Sequence, residues 1–200
     1  QLMVFFGPTP SDEMLTRLSD DENELIRGQV ARLCGLKEGQ EIEALLGKLL
    51  ADTSPAVRRK AGESWMRMAA LPPLLPVYAM LGSRDRAEAL VARRILERIP
   101  AEQWESEIIN ADELSLFIQG SVALMTASPS LERAYQVLAK ASQWMEGAVN
   151  DHDFVDLLRA MELALVRGQV DPELIGGFAD RIGSEFPSEN TMINRELIRL

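Results

Sequence analysis

Shifted by 31 residues, the first half of this chain matches itself. Leu18-Ser19-Asp20-Asp21 with Leu25-Ile26-Arg27-Gly28-Gln29-Val30 pairs with Leu50-Ala51-Asp52 and Pro55-Ala56-Val57-Arg58-Arg59-Lys60-Ala61. The same shift carries Ala61 onto Ala92 and leaves Leu81-Gly82-Ser83 and Arg93-Arg94-Ile95-Leu96 as a looser third copy. A unit of this length has room for two helices and a turn, and one helix pair cannot close a core alone. Successive pairs must therefore stack. The small residue on each second helix (Val30, Ala61, Ala92) is expected to let neighbouring units approach closely.

The rest of the pattern agrees with an all-α chain. Ala, Leu, Glu, Arg and Met recur at three- and four-residue spacing, and β-branched and aromatic residues form no alternating runs. Turn signals cut the chain at Gly35 to Gly39, Asp52-Thr53-Ser54-Pro55, Leu71-Pro72-Pro73, Gly82-Ser83, Pro100, Ser128-Pro129, Asn150-Asp151, Gly168 to Pro172 and Phe186-Pro187. Ser11 and Ser130 stand where N-caps belong, and Pro172 at the first position of a helix. The apolar stripes predict helices over 153–166 (Phe154, Leu157, Leu158, Met161, Leu165) and 171–185 (Leu174, Ile175, Phe178, Ile182). Gly176 and Gly177 would lie inside the latter, where the missing side chains would admit a close neighbour.

Asp52-Thr53-Ser54-Pro55-Ala56-Val57-Arg58-Arg59-Lys60-Ala61 resembles the turn and second-helix start of HEAT and armadillo-type repeats, best over residues 41–71. The resemblance implies an α-solenoid of stacked antiparallel helix pairs, in which the Asp and Arg form a ladder between adjacent units and the Pro starts the second helix. Asp52, Pro55 and Arg58 fill those places in one unit, and Asp21 with Arg27 fill them one unit earlier, without the Pro. The expected organisation is a linker over 1–10, about three repeats over 11–100, and further helical hairpins over 101–200 continuing the solenoid. The resemblance specifies architecture far more than function, since such solenoids serve as adaptors, scaffolds and some enzymes.

Charge divides the chain. Residues 1–100 hold 14 acidic and 14 basic side chains, whereas 101–200 hold 17 and 7, so the whole net charge of -10 lies in the second half. Arg58, Arg59, Lys60, Arg67, Arg93 and Arg94 form the candidate interaction surface for a protein partner or an adjoining domain of the same polypeptide. The bland reading of the same residues is a solvated face.

Composition removes most familiar chemistry. Cys34 and His152 are each the only residue of their kind, which excludes a Cys-rich zinc site and leaves little for His-based catalysis. Asp151, His152, Asp153 and Asp156 could in principle hold a divalent metal, but carboxylates in a first helical turn are better explained by the free N–H groups there. No glycine-rich phosphate loop is present, and no catalytic, cofactor-binding or metal-ligating residues are assigned. The expectation is therefore a non-catalytic interaction scaffold or spacer of a larger multidomain protein. The alternative implied by the resemblance is a DNA-binding enzyme of the HEAT-like DNA glycosylase type, and a net charge of -10 makes nucleic acid an unlikely partner. A first residue that is not Met, and a last helix pattern without a cap, are read as the ends of a piece of a longer chain. No segment is long and apolar enough to span a bilayer, and localisation is left open between cytoplasm and periplasm.

Overall fold

The computed structural model describes residues 10–171 and 175–200. Among these the chain is all-α, with twelve α-helices, one 3-10 turn and no strand. Packing divides it into two compact units, one up to Ile95 and one from Leu96. The boundary lies near the expected break at Pro100. Most of the expected linker over 1–10 lies outside the described residues.

The first unit holds α1 (Asp12–Leu18), α2 (Glu24–Cys34), α3 (Gln40–Leu50), α4 (Pro55–Trp65), α5 (Leu74–Leu81) and α6 (Arg86–Leu96), the last ending at the boundary. Local chemistry sets the helix starts. Ser11 accepts a hydrogen bond from the Met14 N–H at 3.2 Å, Asn23 accepts from Leu25 at 2.9 Å, and Pro55 opens α4 with the fixed φ that a first turn requires. Helices α1 and α2 pack together, as do α3 and α4; α2 lies against α4, and α1 and α5 each lie against α3. Helix pairs thus sit side by side in this unit. Their shared core takes Leu15, Val30, Leu46, Leu50, Val57, Ala61, Val77, Met80 and Ala92, none more than 1% exposed. Each large aliphatic among them adds about 1.5–3 kcal/mol of transfer free energy.

The small residues at the helix interfaces go further than Val30, Ala61 and Ala92. A Cβ at Gly62 would stand 2.6 Å from Val91 Cγ1, and one at Gly35 would stand 2.7 Å from Ser64 Cβ. Helix α4 therefore touches α6 through Gly62, and the end of α2 through Ser64.

The second unit contains the 3-10 turn Ala101–Gln103, α7 (Glu105–Ile109), α8 (Leu114–Ala127), α9 (Leu131–Trp144), α10 (Asp151–Gly168), α11 (Phe178–Ser184) and α12 (Thr191–Leu197). Ser130 accepts from the Arg133 N–H at 3.2 Å and Asn150 from the Asp153 N–H at 3.1 Å, which fixes the starts of α9 and α10. Helix α10 packs on α8, α9 and α12. Its Leu157, Leu158, Met161 and Ala164 are fully buried with Phe117, Leu124 and Val137. Trp104, also fully buried, directs its indole N–H to the Ile99 carbonyl at 3.1 Å.

The helix expected over 171–185 is shorter than its apolar stripe predicts. It begins at Phe178, and Pro172 and Leu174 lie outside the described residues. Gly177 has φ 75°, in the left-handed region where glycine carries no Cβ penalty, and so ends the turn before α11 rather than continuing a helix. A Cβ at Gly176 or Gly177 would meet nothing within 4 Å. The pair shapes a turn and admits no close neighbour.

Candidate interaction surface

Two of the second helices of the first unit, α2 and α4, begin just after a turn that exposes carbonyl oxygens, and an arginine one turn into the helix reaches back to them. Arg27 Nη1 donates to the Asp21 and Glu22 carbonyls at 2.9 and 3.1 Å. Its Nε and Nη2 donate to the two carboxylate oxygens of Asp52 at 2.7 and 2.8 Å. Arg58 does the same one unit later. Its Nη1 donates to the Asp52 and Thr53 carbonyls at 2.7 and 3.1 Å, and its Nε and Nη2 grip the carboxylate of Glu88 on α6. The fork of donors on a guanidinium suits both tasks at once, which a lysine could not do.

Two details differ from the expected ladder. Asp21 enters through its backbone carbonyl, while its carboxylate accepts from the Asn23 N–H at 2.8 Å. The third unit places Ser83 where the repeat calls for an aspartate, and Glu88 supplies the missing charge. The Ser83 hydroxyl donates to Glu88 Oε2 at 2.5 Å, so the carboxylate, fully buried, accepts three hydrogen bonds from two side chains. Arg58 is therefore turned inward. It holds two units together and is no part of the outward surface to which the sequence assigned it.

The second unit contains a clamp that sequence reasoning missed. Arg133 Nη1 donates to the Ser128 carbonyl at 3.2 Å, and its Nε and Nη2 reach Glu105 at 2.6 Å and Glu102 at 2.9 Å. The legible signal is the offset: Arg27, Arg58 and Arg133 each stand five residues after the turn carbonyl they hold, at Glu22, Thr53 and Ser128.

The other candidate residues are distributed as follows. Arg59 pairs loosely with Glu63 at 3.6 Å, one turn along α4. Lys60 lies over Gly28 of α2, its Cδ 2.9 Å from where a Cβ would stand. Arg93 is half-buried, whereas Arg67 and Arg94 are exposed. Ala56, Arg59, Glu63 and Arg67 form one outward stripe of α4, Leu25, Gln29, Arg32 and Leu36 that of α2, and Leu90 with Arg94 that of α6. The outward face of the second helices is thus arginine-bearing even without Arg58.

The residues considered for chemistry have other partners. Cys34 is fully buried, and burial pushes its thiol up to about 11, far from a reactive thiolate. His152 is exposed, with Nε2 3.9 Å from Asp156, beyond hydrogen-bond reach, and Asp156 accepts from Arg159 at 3.1 Å. Asp153 accepts from Asn150 Nδ2 at 2.6 Å and Asp151 from Asn190 Nδ2 at 2.9 Å. Among the described residues no group of three His, Cys, Asp or Glu side chains is gathered as a metal ion requires. Nor is any helix there long and apolar enough to cross a membrane.

Three carboxylates are held ionised below their ordinary range. Burial opposes ionisation of Asp52 and of Glu196, but hydrogen bonds from Arg27 and the Ser54 N–H at the first, and from Arg159 and Arg199 at the second, outweigh it. Glu102 is lowered first by its backbone hydrogen bond and then by Arg133. These groups bind protons less tightly in the folded chain than in the unfolded one. Their contribution to stability is complete above the ordinary carboxylate range and is lost as pH falls through and below it. Urea midpoints are expected to be level from about pH 8 to 6 and to fall steadily below about pH 4.5. Asp52→Asn should lower the midpoint at neutral pH and make the acid decline shallower; an unchanged decline would show that Asp52 contributes nothing to it.

No protein-family model matches the chain, and no curated protein matches it.

Proposed function

We propose that this chain is an α-solenoid segment akin to HEAT and armadillo repeats that serves as a non-catalytic scaffold or spacer, binding a protein partner or an adjoining domain through the outward face of its second helices. One observation carries the reading. Arg27 and Arg58 perform the same task one unit apart, each tying its own turn to a carboxylate of the next helix pair. A clamp that repeats in step with the sequence makes a stiff stack, and a stiff stack presents its outward side chains in a fixed array. The Asp52 and Glu88 carboxylates are taken up by that framework, and the Cys34 thiol is buried under it.

The test is capture by the immobilised chain, wild type against an Arg59→Glu, Arg67→Glu, Arg94→Glu variant. Reversing three charges on the face is expected to reduce retention of its partner by about tenfold or more while leaving thermal unfolding nearly unchanged. A captured set identical for the two proteins would remove this face as the binding surface.

A further inference from the structure

We propose that the arginine face receives the acidic region of a second copy of this chain, in a head-to-tail contact. The inference rests on reading that face as a binding surface, and it names the occupant.

The two units differ in charge in a way that composition alone conceals. Residues 1–95 carry 13 acidic and 13 basic side chains, and Arg32, Arg59, Arg67 and Arg94 lie on the outward stripes of the second helices, where Glu63 and, one turn past Arg94, Glu97 also lie. In the second unit, residues 145–190 hold 10 acidic and 3 basic side chains. All three of those cations are engaged within the fold. Arg159 holds Glu196 and Asp156, Arg167 donates to the Met125 and Thr126 carbonyls, and Arg181 donates to the Met145 carbonyl. Arg167 and Arg181 are thus directed at backbone carbonyls, while Glu146, Asp151, Asp180 and Glu189 are exposed.

That stretch also frames a groove of about 410 Å³. Met145 and Ile193 are buried beneath it, Phe154 is half-buried, and Asp151 and Glu185 stand among its lining residues. The exposed lining is mostly polar, with Met145, Phe154 and Ile193 among it, so an arginine would find a few apolar contacts for its methylenes and an acid for its guanidinium. Arg67 is exposed just beyond the end of α4 and is the side chain assigned to the groove, and Arg94 is exposed on α6. The two surfaces are different, so the contact is heterologous, and successive copies either close into a ring or continue as an open chain. Mass should then grow with concentration. Exposed charges make the contact weak and sensitive to salt.

Sedimentation velocity on the purified chain, at roughly 0.01 M and roughly 1 M salt, tests this. The wild type is expected to gain mass with concentration at low salt and to be monomeric at high salt. Arg67→Glu with Arg94→Glu, and separately Asp151→Lys with Glu185→Lys, should each weaken self-association by about tenfold or more. Mixed, the two variants should associate again, because each reversed surface then meets its opposite. That rescue also excludes misfolding as the cause of the loss. A wild type that is monomeric at both salts, or association that survives both reversals, overturns the proposal. If the wild type is monomeric but the Arg59, Arg67, Arg94 variant still loses a captured protein, self-association is overturned and the arginine face stands as a surface for another partner.

Discussion

Arg58→Ala is expected to lower the free energy of unfolding by about 3 kcal/mol, the low end of what breaking a buried ion pair costs. The partners are unequally buried, with 20% of the Arg58 side chain exposed and none of Glu88. Removing the arginine leaves the Glu88 carboxylate in the interior with only the Ser83 hydroxyl to hold it, and it frees the Asp52 and Thr53 carbonyls at the turn. The uncompensated charge dominates, because a buried group that loses its partner bears its full desolvation penalty. It follows that Arg58→Met with Glu88→Leu should recover most of the loss, since an apolar pair of similar volume carries no such penalty. Urea unfolding checks both, and a double-mutant cycle isolates the pair. If Arg58→Ala shifts stability by less than about 0.5 kcal/mol, as an exposed pair would, the clamp is not what joins these units.

The same clamp shows how far the sequence could be read. The helices were legible because an amphipathic stripe must face a core, and Leu157, Leu158 and Met161 do so. Asp52 was legible because Asp21 stands 31 residues before it, and Pro55 because a proline suits the first position of a helix. Glu88 was not. It replaces an aspartate by reaching from the first turn of α6, and whether a side chain five residues away in sequence can fill the same position depends on how the helices pack. For the same reason the charge pattern marked the arginine face but could not tell Arg58, turned inward, from Arg67, exposed a few residues later. Position along a helix fixes direction only to within a turn, and a long guanidinium takes whichever acceptors packing brings near. Gly177 failed differently: an apolar stripe at 174, 175, 178 and 182 satisfies a helical template, while the positive φ that interrupts it leaves no trace in periodicity.

Replacing single glycines by alanine is expected to give opposite results at three positions, because the added methyl meets different surroundings. At Gly168 a Cβ would stand 2.2 Å from Ala134 Cβ, a methyl with no rotamer through which to move aside. Helices α9 and α10 would have to separate, and the core they share would open with them. At Gly120 the clash is with three side-chain atoms of Ile108 between 2.5 and 2.7 Å away, and Ile108 is itself fully buried. Overpacking of this kind costs about 1–3 kcal/mol and more where nothing can yield, against roughly 1 kcal/mol gained from helix propensity. Net losses of about 2 kcal/mol at Gly120 and about 3 kcal/mol at Gly168 follow. Gly183 lies in the last turn of α11, exposed, with nothing within 4 Å of an added Cβ, so the propensity term acts alone, reduced at a helix end, and Gly183→Ala should stabilise by about 0.5 kcal/mol. Thermal unfolding of the three variants separates steric from conformational effects. A Gly168→Ala protein as stable as the wild type would mean that α9 and α10 do not approach each other this closely.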